Sequence, residues 1–116
     1  MTKIFIRTDA NKHIGMGHLM RCITIAKQMV NYKCIFLVSD LEAYGIVKSN
    51  GFESICLNIN YKDFSCLEAL KVVNIGKKQN VRAILVDSYY VNKEYLVELK
   101  KRFLIACFNA RKIFLP

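Results

Sequence analysis

Between residues 6 and 29 the chain reads IRTDANKHIGMGHLMRCITIAKQM. One imidazole, His18, stands directly behind Gly15-Met16-Gly17, with Arg21 three residues on and Arg7 and Asp9 upstream. Histidine is the side chain best suited to move a proton near neutrality. In the first turn of a helix it meets the positive end of the helix dipole, which favours the neutral ring that a general base needs. Glycines beside it leave room for a sugar or a phosphate to come close. The stretch therefore reads as acid–base chemistry on a sugar- or phosphate-bearing substrate. The same residues have plainer uses. His18 can cap the helix or pack under the loop. Asp9 can shape the loop as an Asx turn. Arg7 and Arg21 can pair with acidic neighbours or contact an anionic ligand. His13 has no comparable setting and reads as a loop surface residue.

A second reading treats the glycines as a dinucleotide fingerprint. Gly15 and Gly17 would admit a pyrophosphate at the helix N-terminus, and Asp40 would take the ribose hydroxyls. Two features oppose it. Met20 occupies the third glycine position, and TDANKHI is long for a tight turn between strand and helix. Further on, VDSYY at 86–90 supplies a second polar cluster. Tyr89 there can be a half-buried aromatic, or it can bring its hydroxyl to His18 to orient the base or a water molecule.

These residues need a frame. KIFIRT at 3–8 reads as a strand. Leu19, Cys22, Ile23, Ala26, Met29 and Val30 share one face of a helix over 18–30. KCIFLVS at 33–39 is a nearly continuous apolar run, as a buried parallel strand requires. A short helix over 42–49 ends at Asn50-Gly51, a C-cap pair. Strands follow at 53–57, 82–87 and 103–108, with helices at 64–79 and 92–102. Such alternation predicts an α/β, Rossmann-like parallel sheet with helices on both faces. Ligands of such sheets bind beyond the carboxyl ends of the strands. If the sheet brings the first and fourth strands together, the glycine loop and VDSYY line one crevice.

Composition narrows the class. At 116 residues, 53% hydrophobic and 23% charged, the chain fits one globular domain with its own core. A net charge of +9 invites a nucleic-acid partner. The lysines are scattered, however, and the clusters Lys77-Lys78 and Lys100-Lys101-Arg102 fall at expected helix C-termini, where cations complement the dipole. No nucleic-acid partner is expected. Five cysteines without CxxC spacing read as buried free thiols in a reducing compartment, with no cysteine metal site. The longest apolar run, FLIACF at 103–108, is too short to span a membrane. A cytoplasmic chain without membrane contact is expected.

The motif IRTDANKHIGMGHLMRCITIA resembles the N-terminal signature of the UDP-sugar hydrolases of pseudaminic acid biosynthesis, whose relatives are described as spore coat polysaccharide biosynthesis proteins. Arg7, Asp9, Ile14, Gly15, Gly17, His18 and Arg21 match it. Asp87 and Tyr89 match the D-x-Y after the fourth strand. The resemblance covers roughly residues 3 to 105. It implies the N-terminal domain of a GT-B-like two-domain enzyme that releases UDP from a UDP-diacetamido-trideoxy-altrose with inversion, without cofactor or metal. It implies that His18 is the general base for water and that Tyr89 positions that water. Arg7, Asp9, Gly15, Gly17, Arg21 and Asp87 would then serve the substrate. The family continues with a D-D pair and a second domain that carries most of the nucleotide site. Here CFNARKIFLP stands instead. The expectation is a Rossmann-like domain over 1–108, a divergent or truncated tail over 109–116, and little or no hydrolysis by this chain alone. A nucleotide-binding module or a GT-B-type glycosyltransferase fragment is the alternative.

Overall fold

The computed structural model describes residues 1–108, and the tail expected at 109–116 lies outside the described residues. The elements run β1 (Thr2–Thr8), α1 (Gly17–Gln28), β2 (Tyr32–Val38), α2 (Leu41–Ser49), β3 (Glu53–Cys56), α3 (Cys66–Gln79), β4 (Ala83–Asp87), α4 (Lys93–Leu99) and β5 (Leu104–Cys107). All pairings are parallel, in the order β3-β2-β1-β4-β5. The expected α/β architecture is thus the observed one.

Two-residue periodicity makes the layers. Ile4 and Ile6 of β1 join Cys34, Phe36 and Val38 of β2 under α1 and α2. Phe5, Ile35, Leu37, Ile84 and Val86 point the other way, into the core beneath α3 and α4. The helices bury the stripe that their spacing dictates: Leu19, Cys22, Ile23 and Ala26 in α1, and Ala69, Val72, Val73 and Gly76 in α3.

Caps define the helix starts. Asp40, Ser65 and Asn92 accept the backbone N–H of Ala43, Glu68 and Tyr95, closing α2, α3 and α4 at their amino ends. Asn50 caps the end of α2, and Gly51 follows at φ +87°, as Asn50-Gly51 predicts. Helix α4 ends at Leu99, short of the expected residue 102. Beyond it Arg102 donates from Nε to the Val81 carbonyl at 3.1 Å, and Phe103 drops into the core against Phe5. Those tertiary contacts end the helix early.

The cysteines depart in part from expectation. All five are free, but only Cys22 and Cys34 are buried, and Cys66 is exposed at the first turn of α3. Among the described residues no helix is long and apolar enough to cross a membrane.

Candidate active site

The crevice condition is met. Strand β4 lies beside β1 with Thr8 opposite Asp87, so the glycine loop and VDSYY leave the sheet side by side.

The loop is built on Asn11, which the sequence reading passed over. Its Oδ1 accepts from the N–H of His13 at 2.8 Å and of Ile14 at 3.1 Å, an Asx turn. Gly15 donates its N–H back to the Asn11 carbonyl at 2.7 Å and takes φ +75°, a conformation that suits glycine. The signal lay in the sequence as an asparagine ahead of a glycine. Helix α1 then starts with Met16 at the N-cap and no side-chain cap. His18 is therefore not the cap of its helix.

What His18 does instead is reach β4. Its Nδ1 lies 2.7 Å from Oδ1 of Asp87. Asp87 is fully buried and also accepts both prongs of Arg21, from Nε at 2.9 Å to Oδ2 and from Nη2 at 2.7 Å to Oδ1. Burial alone would raise the Asp87 carboxyl. The hydrogen bonds from Arg21 and His18, with their charges, outweigh it and hold the group below its ordinary value. An ionised carboxylate can only accept, so Nδ1 of His18 carries a hydrogen. In the neutral ring the lone pair is then on Nε2, away from Asp87. Arg21 Nη2 at 3.4 Å from the same Nδ1 is a loose contact between two donors, and the shorter Asp87 bond decides the tautomer.

The surroundings favour this charge arrangement. The Cys22 thiol points at Asp87 Oδ2 from 3.5 Å. Burial, followed by the Asp87 charge, pushes that thiol up to about 12, so it remains S–H. The Arg21 guanidinium also lies 5.2 Å over the Phe108 ring. The Tyr89 ring stands edge-on to His18, with centroids 5.6 Å apart at 82°. His18 keeps 17% and Arg21 51% of its side chain exposed, so this end of the sheet is an open surface. The 850 Å³ cavity lined by Thr2, Lys3, Asn80 and Leu104 is at the opposite end of the strands. Among the described residues no group of three His, Cys, Asp or Glu side chains is placed to hold a metal ion.

Three residues expected to serve the substrate are buried. Arg7 and Asp9 are 1% and 2% exposed and pair at 2.9 Å beneath the loop. Asp9 Oδ1 also accepts the Ser39 N–H at 2.7 Å, tying the end of β1 to the end of β2. Burial works against the Arg7 guanidinium, but Asp9 and Tyr95 outweigh it and keep it charged, with the Phe64 ring 4.8 Å from it. Asp87 faces His18 and Arg21, not solvent. All three lie beneath the loop and His18, because the strand ends that carry them are packed on both faces. Gly17 differs from Gly15. Its φ is not positive, and a Cβ there would meet nothing within 4 Å. Asp40 spends Oδ1 on the Ala43 N–H at 3.1 Å, as the cap of α2.

His13 is exposed but not isolated. It stacks on Tyr61 at 6.0 Å and 10°, and Tyr61 meets Tyr90 edge-on at 5.6 Å. Sequence spacing carried no signal for this, because the three residues come from three different loops.

No protein-family model matches the chain. No curated protein matches it. Among solved structures it resembles a glycosyltransferase from Rickettsia africae ESF-5, with a TM-score of 0.64 and 16% identity over 91% of this chain. The chain spans 29% of that protein's length. At this identity the likeness shows a shared fold: the chain is an α/β, Rossmann-like domain of the kind found in that glycosyltransferase.

Proposed function

We propose that this chain is the proton-transferring domain of a cytoplasmic nucleotide-sugar enzyme. It would release UDP from a UDP-diacetamido-trideoxy-altrose in pseudaminic acid or related surface-polysaccharide biosynthesis. The observation that carries this reading is the 2.7 Å contact of His18 Nδ1 with the buried Asp87. A carboxylate behind the ring fixes one tautomer and steadies the positive charge that forms when Nε2 takes a proton. In the reaction, water adds to the anomeric carbon from the face opposite the nucleotide. The bond from that carbon to the diphosphate oxygen breaks, UDP leaves with the electron pair, and the water proton passes to His18 Nε2. Tyr89, against the ring edge, positions the water. Arg21 holds Asp87 ionised and sets positive charge at the rim of the crevice. Gly17 is open to the sugar–diphosphate. Arg7 and Asp9 hold the loop in place. A second domain would supply most of the nucleotide contacts.

A sugar hydroxyl in place of water would make the same chemistry glycosyl transfer. The fold shared with a glycosyltransferase supports keeping that variant.

Single-turnover incubation of excess chain with the UDP-sugar tests the proposal. The expected result is slow UDP release, far below a normal enzymatic rate, that His18→Asn removes. Release at the same rate from the His18→Asn variant would overturn it.

A further inference from the structure

Two consecutive tyrosines in the β4–α4 loop have separate partners. Tyr89 turns its ring to His18, and Tyr90 turns its ring to Tyr61 of the β3–α3 loop. Tyr61 in turn stacks on His13 of the glycine loop. Lys62 places its ammonium 5.8 Å over Tyr61 and 5.7 Å over Tyr90. Three loops therefore join their aromatic rings into one surface, one residue along the chain from the tyrosine that meets His18. Tyr90 is 39% exposed and Tyr89 43% exposed. Single exposed aromatic rings are ordinary, but rings grouped at the ligand-binding end of a sheet mark a contact surface.

The surface is held in place by its loops. Asn92 Nδ2 donates to the Phe64 carbonyl at 3.0 Å and ties the β3–α3 loop to the start of α4. Asn60 Oδ1 accepts the Lys62 N–H at 2.9 Å, and Ser88 Oγ accepts the Tyr90 N–H at 3.2 Å. Loops ordered in this way lose little freedom when a ligand settles on them.

We propose that His13, Tyr61, Tyr90 and Lys62 form a stacking platform for the pyranose ring next to the reacting carbon. This rests on the function proposed above, which it deepens. Aromatic faces carry negative potential and attract the polarised C–H groups on the apolar face of a sugar ring. A nucleobase would stack as well, but position argues for the sugar. Consecutive Cα atoms are about 3.8 Å apart, so the platform begins one residue from the ring that touches His18. The base of a nucleotide-sugar is separated from the anomeric carbon by a diphosphate and a ribose, and the sugar ring contains that carbon. The Lys62 ammonium braces the two tyrosines by cation–π attraction and adds a positive edge.

Saturation-transfer NMR of the chain with methyl glycosides of glucose and N-acetylglucosamine tests this apart from catalysis. Saturation is expected on the ring C–H protons of one glycoside. Tyr61→Ala and Tyr90→Ala should each weaken that binding about tenfold, the equivalent of about 1.4 kcal/mol. No saturation of either glycoside, or saturation that survives both tyrosine substitutions, would overturn the platform. A competition by UMP that depends on Tyr61 and Tyr90 would overturn it in favour of a nucleobase site. Each of these results stands whether or not UDP release by the chain depends on His18, so the two proposals fail separately.

Discussion

His18 and Asp87 are 69 positions apart in the chain and 2.7 Å apart in space. The contact exists because β4 pairs with β1 and sets Asp87 opposite Thr8, at the mouth of the glycine loop. Helix α1 leaves that loop with His18 in its first turn and Arg21 one turn later, so both reach the same carboxylate. One buried anion thus orients the His18 ring and anchors the Arg21 cation.

Asp87→Asn should harm both structure and chemistry. The amide oxygen can still accept from His18 and Arg21 Nη2, but the N–H₂ that replaces Oδ2 then faces the Arg21 Nε donor. Arg21 is half exposed, so water can take over its charge. The expected loss of stability is about 1–3 kcal/mol, less than for a fully buried pair. Chemical denaturation measures it. Any slow UDP release should fall in parallel, because the His18 tautomer is no longer fixed.

Acid should weaken the fold through the same carboxyl. Asp87 titrates below its ordinary value in the folded chain and near about pH 3.9 when unfolded. Between the two values the unfolded chain binds a proton that the folded chain does not, so stability falls as pH drops. The contribution is complete above about pH 4 and is lost as pH falls through the folded-state value. Denaturation midpoints followed downward from neutral pH should show a steep acid loss that Asp87→Asn makes shallower. Equal slopes for the two proteins would contradict this.

Gly15→Ala and Gly17→Ala should separate conformation from ligand approach. Gly15 sits at φ +75°, where a Cβ costs about 1–2 kcal/mol. Gly17 opens α1 without positive φ or any nearby atom, so alanine should be neutral or slightly stabilising. If the sugar–diphosphate approaches there, Gly17→Ala should still weaken UDP-sugar binding several-fold. Thermal melts and a binding titration on both variants check this.

Gly76→Ala should destabilise although Gly76 is helical. Alanine would gain about 1 kcal/mol in helix propensity. Its Cβ would lie 2.5 Å from Cζ of Phe103, a ring that is buried against Phe5. Overpacking of this kind costs about 1–3 kcal/mol, so the net change should be a loss. Phe103→Leu in the same chain should recover part of it, which a two-variant melt would show.

Thiol labelling should be ordered. Cys66 is exposed, while Cys22 is buried with its thiol pushed up to about 12. A disulfide reagent at mildly alkaline pH should modify Cys66 rapidly and reach Cys22 only on unfolding, and peptide mapping reads the order. Early labelling of Cys22 would mean that the Asp87 environment is open.

Much of this molecule follows from the chain read locally. The alternation of Ile4, Phe5 and Ile6, and the stripe Leu19, Cys22, Ile23 and Ala26, dictate a strand and a helix because period alone decides which side chains share a face. Alternated along the described residues, such strands and helices leave a parallel sheet covered on both faces as the consistent architecture. The glycine loop and its histidine were visible in the same way, as neighbours in sequence. What each polar side chain meets was decided only in three dimensions. Arg7 carries a charge yet lies under the loop, because Asp9 and the Phe64 ring are there to receive it. His13 belongs to an aromatic surface because Tyr61 and Tyr90 arrive from two other loops. Asp87 serves His18 because the strand order makes β4, and not β3, the second neighbour of β1. Local periodicity encodes which face of an element is apolar. The order of strands, and hence the partner of every buried charge, depends on how the crossovers pack over the whole sheet.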